Sequence, residues 1–161
     1  MYQAQKALFL YCVSPVHMGA GTAVGLIDNP IQREKHTDYP MMAGSGLKGA
    51  VRHHFAMTWN KPLIERLFGP ESGAQDLNAG AVSFGDAQLV AFPVRCTKSA
   101  FVYATSATAV ARTRRLLALT KNGQAIEWPE LRVAAGQCAV ANSTLLTGDK
   151  LCAFGKDAKG G

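Results

Sequence analysis

Blocks of apolar residues are separated along this chain by glycine, proline and charge. Residues 7–13, Ala-Leu-Phe-Leu-Tyr-Cys-Val, are continuously apolar and end at Ser14-Pro15. A short run of this kind predicts a buried strand. Residues 17–25 read as a glycine-rich loop, and residues 26–43, with two prolines and many charges, as mostly loop. Leu47, Ala50, Val51, Phe55 and Trp59 then recur at helical spacing. They predict a helix starting near Ser45, with Ser45 as its N-cap. A second short helix is expected over residues 62–69, burying Leu63, Ile64, Leu67 and Phe68 and stopping at Gly69-Pro70.

The second half of the chain alternates differently. Residues 70–80 read as a turn segment. Residues 81–94 read as two strands with a bend at Gly85-Asp86, and residues 101–105 as another strand. Ser106 is placed to cap a helix running to about Leu119, with Val110, Thr113 and Leu117 on one side and Arg112, Arg114 and Arg115 elsewhere. Residues 133–154 are expected to be strands with turns near Asn142 and Gly148-Asp149. The order strand, helix, strands, helix, strands predicts an α+β layer, helices on one face of an antiparallel sheet, as in RRM-like and ferredoxin-like domains. One domain over residues 1–154 is expected, with residues 155–161 a linker or frayed tail.

Composition narrows the function. There are 17 basic and 11 acidic residues, a net charge of +6. That favours an anionic partner such as nucleic acid, although an exposed basic face satisfies the same number. The four cysteines, Cys12, Cys96, Cys138 and Cys152, form no CxxC pair and no zinc-type spacing with histidine. No apolar run is long enough to span a bilayer, and the N-terminal segment lacks the marks of a signal peptide. A cytoplasmic protein with reduced thiols and no membrane partner is expected.

The chemistry concentrates between His17 and Arg52. Gly44-Ser45-Gly46-Leu47-Lys48-Gly49 spells GxGxxG, the dinucleotide fingerprint when it follows a strand. Here Tyr39-Pro40-Met41-Met42-Ala43 is a poor strand, which weighs against a nucleotide-cofactor enzyme. Glycines and free N–H groups at a helix start still suit a phosphate. Lys48 and Arg52 are four apart and share a helix face. A capped helix with a solvated basic edge is the plainer reading. His17 follows the first apolar run inside His-Met-Gly-Ala-Gly, and a lone histidine is more often structural. Asp28, in Asp-Asn-Pro, is by default a turn-former. Arg33, Lys35 and His36 interleave with Glu34 and Asp38, as ordinary local ion pairs in a loop also do.

Taken together, His17-x-Gly-x-Gly, Asp28-x-Pro-Ile-Gln-Arg-Glu-x-His-Thr-x-x-Pro and Gly-Ser-x-Leu-Lys-Gly closely resemble the N-terminal half of a RAMP-superfamily protein. The likeness is to the backbone subunit of the type III-B CRISPR effector, the Cmr complex. It is most specific through residue 52 and continues more loosely to residue 119. The resemblance implies an RRM-like core with insertions, stacked copies along a guide RNA, other Cmr-complex subunits as partners, and cleavage of paired target RNA. It makes Asp28 the cleavage residue. It implies RNA contact by the turn Gly44, Ser45, Gly46, Lys48 and Gly49, with Arg52, His17 and Arg33 nearby. Gly46 departs from the small polar residue expected there. Family members are longer than this chain, so the core is expected to be incomplete at the C-terminus.

A free aspartate titrates near pH 3.9, roughly, and is a weak base at neutral pH. Asp28 is better suited to holding Mg²⁺ or Mn²⁺ with RNA phosphates, the cofactor the resemblance implies. The alternatives are a non-cleaving guide-binding subunit and a guide-processing endoribonuclease using His17 or the pair His53-His54.

Overall fold

In the computed structural model, residues 4–21, 29–71, 73, 75, 78–96, 99–120, 134, 139, 146–147 and 150–151 are described. The chain sorts into two compact units, residues 12–88 and a second unit formed by residues 1–11 with 89–161. Helices and small antiparallel sheets alternate, an α+β composition.

The unit of residues 12–88 holds β1 (Met41–Met42), α1 (Gly44–Ala56), α2 (Lys61–Phe68) and β2 (Ala87–Gln88). β1 and β2 pair antiparallel, with Met41 opposite Gln88 and Met42 opposite Ala87. The start of α2 has a local cause: the Asn60 side chain accepts from Leu63 N–H at 3.0 Å, and Pro62 sits in the first turn, where its missing N–H costs nothing. Gly69 ends the helix at φ 88°, a conformation that favours glycine. Its N–H bonds Glu65 C=O. Ile64 and Phe68 are buried, and Phe68 stacks on Phe84 at 6.3 Å. Leu63 is exposed and Leu67 half-buried, so the expected apolar face of four is reduced to the two residues one helical turn apart. The residues 81–82 run back along this helix end, with Ala81 and Val82 N–H bonding Arg66 and Leu67 C=O at 3.0 Å. Strand structure was expected at residues 81–84, and none is present there; the next strand is β2, at Ala87–Gln88.

The other unit contains the hairpin β3 (Phe92–Arg95) and β4 (Phe101–Ala104), in register from Phe92 opposite Ala104 to Arg95 opposite Phe101. Two residues later α3 (Ala107–Ala118) begins, with the Ser106 hydroxyl accepting from Ala109 N–H at 3.1 Å. Ala109, Val110 and Thr113 are buried, and the Thr113 hydroxyl bonds back to Ala109 C=O. β5 (Leu146–Thr147) pairs with β6 (Lys150–Leu151). The turns expected at Asn142 and Gly148-Asp149 lie outside the described residues.

Residues 7–13 are not a buried strand. Among the described residues they carry no strand pairing, and Leu8, Phe9, Leu10, Tyr11 and Val13 are exposed, Val13 to 88%. Apolarity states a demand for burial but not the partner that would meet it, and a strand needs that partner's backbone groups. The Tyr11 hydroxyl lies 3.1 Å from that of Tyr103.

Candidate functional site

Three short segments meet within residues 12–88. Met18 C=O accepts from Gln32 N–H, and Ala20 N–H donates to Pro30 C=O, both at 2.8 Å. Gly19 and Ile31 form an antiparallel bridge between them. The stretch after His17 is thereby laid against the stretch after Asn29. Next, Met41 N–H donates to Gln32 C=O at 3.1 Å, and Arg33 bridges Pro40. This brings in the residues before α1.

The charged run between them is a closed turn. Glu34 C=O accepts from Asp38 N–H, and Tyr39 C=O from Glu34 N–H, each at 2.9 Å. Asp38 has φ 59°, which aspartate tolerates better than most residues. The Thr37 hydroxyl donates to the Glu34 carboxylate, and the His36 ring lies 3.7 Å from it. Arg33 is exposed and donates to Asp38 C=O at 2.8 Å, so it stands at the rim of the turn.

The start of α1 differs from expectation. Ala43, not Ser45, is the N-cap residue, and no side chain of its own caps the helix. The Asp86 carboxylate performs that task from a distant loop, accepting from Gly44 N–H at 2.7 Å. A carboxylate is favoured there by the free N–H groups and the helix dipole. Gly44 is buried, and a Cβ on it would lie 2.3 Å from Phe84 O. Glycine is required at Gly44 by this close approach. Gly49 faces open space, and a Cβ at Gly46 would meet only the mobile end of Met18 at 2.7 Å.

Ser45, Gly46 and Gly49 are exposed and Lys48 half-buried. Helical spacing puts Ser45, Lys48, Gly49 and Arg52 on one face. Its hydroxyl, ammonium and open glycine suit an approaching phosphate backbone. Asp86 already holds the Gly44 N–H at the tip of the helix. Arg52 is engaged internally: it donates to Gly69 C=O and lies 3.9 Å from Glu71. It ties α1 to the end of α2. His17 is exposed beside the pinned Met18. Asp28 lies outside the described residues; its neighbour Asn29 is half-buried.

Among the described residues no three histidine, cysteine, aspartate or glutamate side chains stand together as a metal site. They therefore form no protein cage for a divalent ion. Sequence reading missed Gln32 and Asp86. Each acts through partners far away in the chain, and no local spacing announces such a role.

Residues 9–149 match the RAMP superfamily. The chain belongs to that superfamily. This RAMP protein is 38% identical over 144 residues to the "CRISPR system Cmr endoribonuclease Cmr4" of Pyrococcus furiosus, covering 85% of this chain and 48% of the relative. It is 26% identical over 156 residues to the "CRISPR system CMR subunit Cmr4" of Saccharolobus solfataricus, covering 92% and 50%. The chain spans about half the length of these curated relatives. Its fold is similar to that of oligomeric Cmr4 from Pyrococcus furiosus, with a TM-score of 0.69, 31% identity, and coverage of 89% of this chain and 50% of that one. It also resembles a chain of the type III-B Cmr-beta assembly bound to cognate target RNA, with a TM-score of 0.53, 26% identity, and coverage of 63% and 38%. Among the described residues no helix is long and apolar enough to cross a membrane.

Proposed function

We propose that this protein is a backbone subunit of a type III-B CRISPR ribonucleoprotein, binding guide RNA and cleaving complementary target RNA. The observation that carries the reading is the gathering of the His17, Asn29–Arg33 and Gly44–Gly49 segments at one place. The Gln32 side chain bonds Gly19, two residues after His17, and Ala43, the residue before Gly44, and an exposed hydroxyl and glycine lie with the Lys48 ammonium on the adjoining helix face. The identity to a relative named an endoribonuclease supports the cleaving role. The oligomeric and target-bound neighbours support stacked copies and other Cmr-complex subunits as partners.

Within this reading Asp28 is the cleavage residue, and Ser45, Lys48 and the glycine turn hold the guide backbone, with His17 and Arg33 at the edge. Phosphate contact by Lys48 neutralises charge that would otherwise resist RNA packing. In such a cut a 2′-hydroxyl attacks the adjacent phosphate in line and gives up its proton, while the bond from phosphorus to the next nucleotide's 5′-oxygen breaks and that oxygen takes up a proton; this leaves a cyclic phosphate and a free 5′-hydroxyl, and the protein's share is to splay and fix the backbone. A divalent ion, Mg²⁺ or Mn²⁺, shared between Asp28 and RNA phosphates would supply charge neutralisation. An RRM-like organisation of the core and a cytoplasmic location belong to the same proposal.

The test is reconstitution with guide RNA and the other Cmr-complex subunits, followed by addition of complementary target RNA and Mg²⁺ or Mn²⁺. Cutting that needs both guide and divalent ion is expected. Target RNA left whole would make this a non-cleaving guide-binding subunit. Cutting of precursor guide RNA by the isolated chain would point to guide processing instead.

A further inference from the structure

We propose that the outward face of the β3–β4 hairpin, with Tyr11 beside it, is a stacking platform for unpaired bases of RNA; this rests on the reading that the protein binds RNA, and not on that of Asp28. The antiparallel register sets Pro93 opposite Tyr103 and Arg95 opposite Phe101. Opposed residues share a face of the sheet, as do residues two apart along a strand. Pro93, Arg95, Phe101 and Tyr103 therefore lie on one side of the hairpin, and Val94 and Val102 on the other. Burial follows the same division. Val94 and Val102 are half-buried and Cys96 is buried, while the four residues of the opposite face are exposed.

Phe101 is 48% exposed, Tyr103 51% and Tyr11 72%. The rings form a row, Phe101 edge-to-face with Tyr103 at 5.4 Å and Tyr103 tilted against Tyr11 at 6.2 Å. The hydroxyls of Tyr11 and Tyr103, 3.1 Å apart, hold Tyr11 to the hairpin. Single exposed apolar side chains are ordinary on a protein surface, but a row of rings fixed against one another is a patch for a ligand to cover. Charge selects that ligand. Arg95 places a cation on the same face, opposite Phe101. Among the described residues of this unit every charged side chain is a lysine or an arginine. Rings interleaved with cations suit a single-stranded nucleic acid, whose bases stack on the rings while its phosphates meet the cations. An apolar protein segment would use the rings and not the charge. The Ser45–Lys48 face of α1 suits phosphates, whereas this face takes bases, of any sequence, because every base has a π-face.

The test compares filter binding of the full chain to two single-stranded probes of equal length, oligoadenylate and the matching abasic ribose-phosphate oligomer. The wild type is expected to bind oligoadenylate more tightly. Phe101→Ala and Tyr103→Ala should each weaken oligoadenylate binding on the order of 10-fold, with abasic binding and the salt slope unchanged. Tyr103→Phe keeps the ring and should keep wild-type affinity. Tyr11→Ala changes no residue of a paired strand, so it serves where a hairpin variant does not fold, and the same base-selective loss is expected. Wild-type oligoadenylate binding in the alanine variants overturns the platform, as do equal losses on both probes. Variants that dissociate an oligomer while still binding oligoadenylate overturn it too, and make the face a contact between copies. A wild type that binds guide RNA but does not prefer oligoadenylate to the abasic probe sinks the platform alone. A wild type that binds neither probe nor guide RNA sinks the RNA-binding reading and the platform together.

Discussion

Gly44→Ala is the sharpest test of how the turn at the start of α1 is built. The added methyl carbon would lie 2.3 Å from Phe84 O and 2.9 Å from Gly85 C. Both are backbone atoms, so no side chain can rotate away. Relief requires the start of α1 to back off, and that draws Gly44 N–H from the Asp86 carboxylate now 2.7 Å away. Overpacking costs about 1–3 kcal/mol and a lost cap about 0.5–2 kcal/mol, so a combined loss of about 1.5–5 kcal/mol is expected. With a urea m-value of roughly 2 kcal/mol/M, the unfolding midpoint drops by about 0.8–2.5 M. Urea titration followed by circular dichroism measures it. Gly49→Ala is the internal control, because its methyl group meets nothing within 4 Å. In the helix interior it should raise stability by about 0.5–1 kcal/mol. Equal midpoints for the two variants would refute the argument, since both are glycine-to-alanine changes in one helix and only their surroundings differ.

Lys48→Ala should weaken guide RNA binding and flatten its salt dependence, log K against log salt losing a slope of about 0.7 for one phosphate on a single strand; filter binding at graded salt measures this. Arg52→Ala should leave that slope unchanged and cost about 1–3 kcal/mol in urea, because its removal leaves Gly69 C=O without its donor. Asn60→Ala should cost about 1 kcal/mol through the lost cap on Leu63 N–H, read in the same titration with RNA binding unaltered.

Local signals were readable and distant ones were not. Ser106 announced α3 because its cap bond spans three residues, and Gly69 marked the end of α2, where its own backbone closes the helix. The paired strands β3 and β4 followed from their β-branched and aromatic residues. Ser45 was expected to cap α1, but the acceptor that does so, Asp86, lies 42 positions away. A polar residue in the first turn is an N-cap signal only when no better acceptor arrives from elsewhere. Gln32 was hidden in a run of charges, where an amide with partners 11 and 13 residues away looks like any loop residue. The run 7–13 was misjudged because apolarity cannot name its partner. Ser45, Lys48 and Gly49, the residues proposed to contact RNA, fall on one helix face by spacing alone. Arg52 shares that spacing, yet its guanidinium turns to Gly69, a contact that depends on where α2 ends.

The account stands most directly on Asp28. In the guide-loaded complex with divalent ion present, Asp28→Ala should bind guide and complementary target RNA as the wild type does and leave the target uncut. Cleavage by that variant at the wild-type rate would contradict the account.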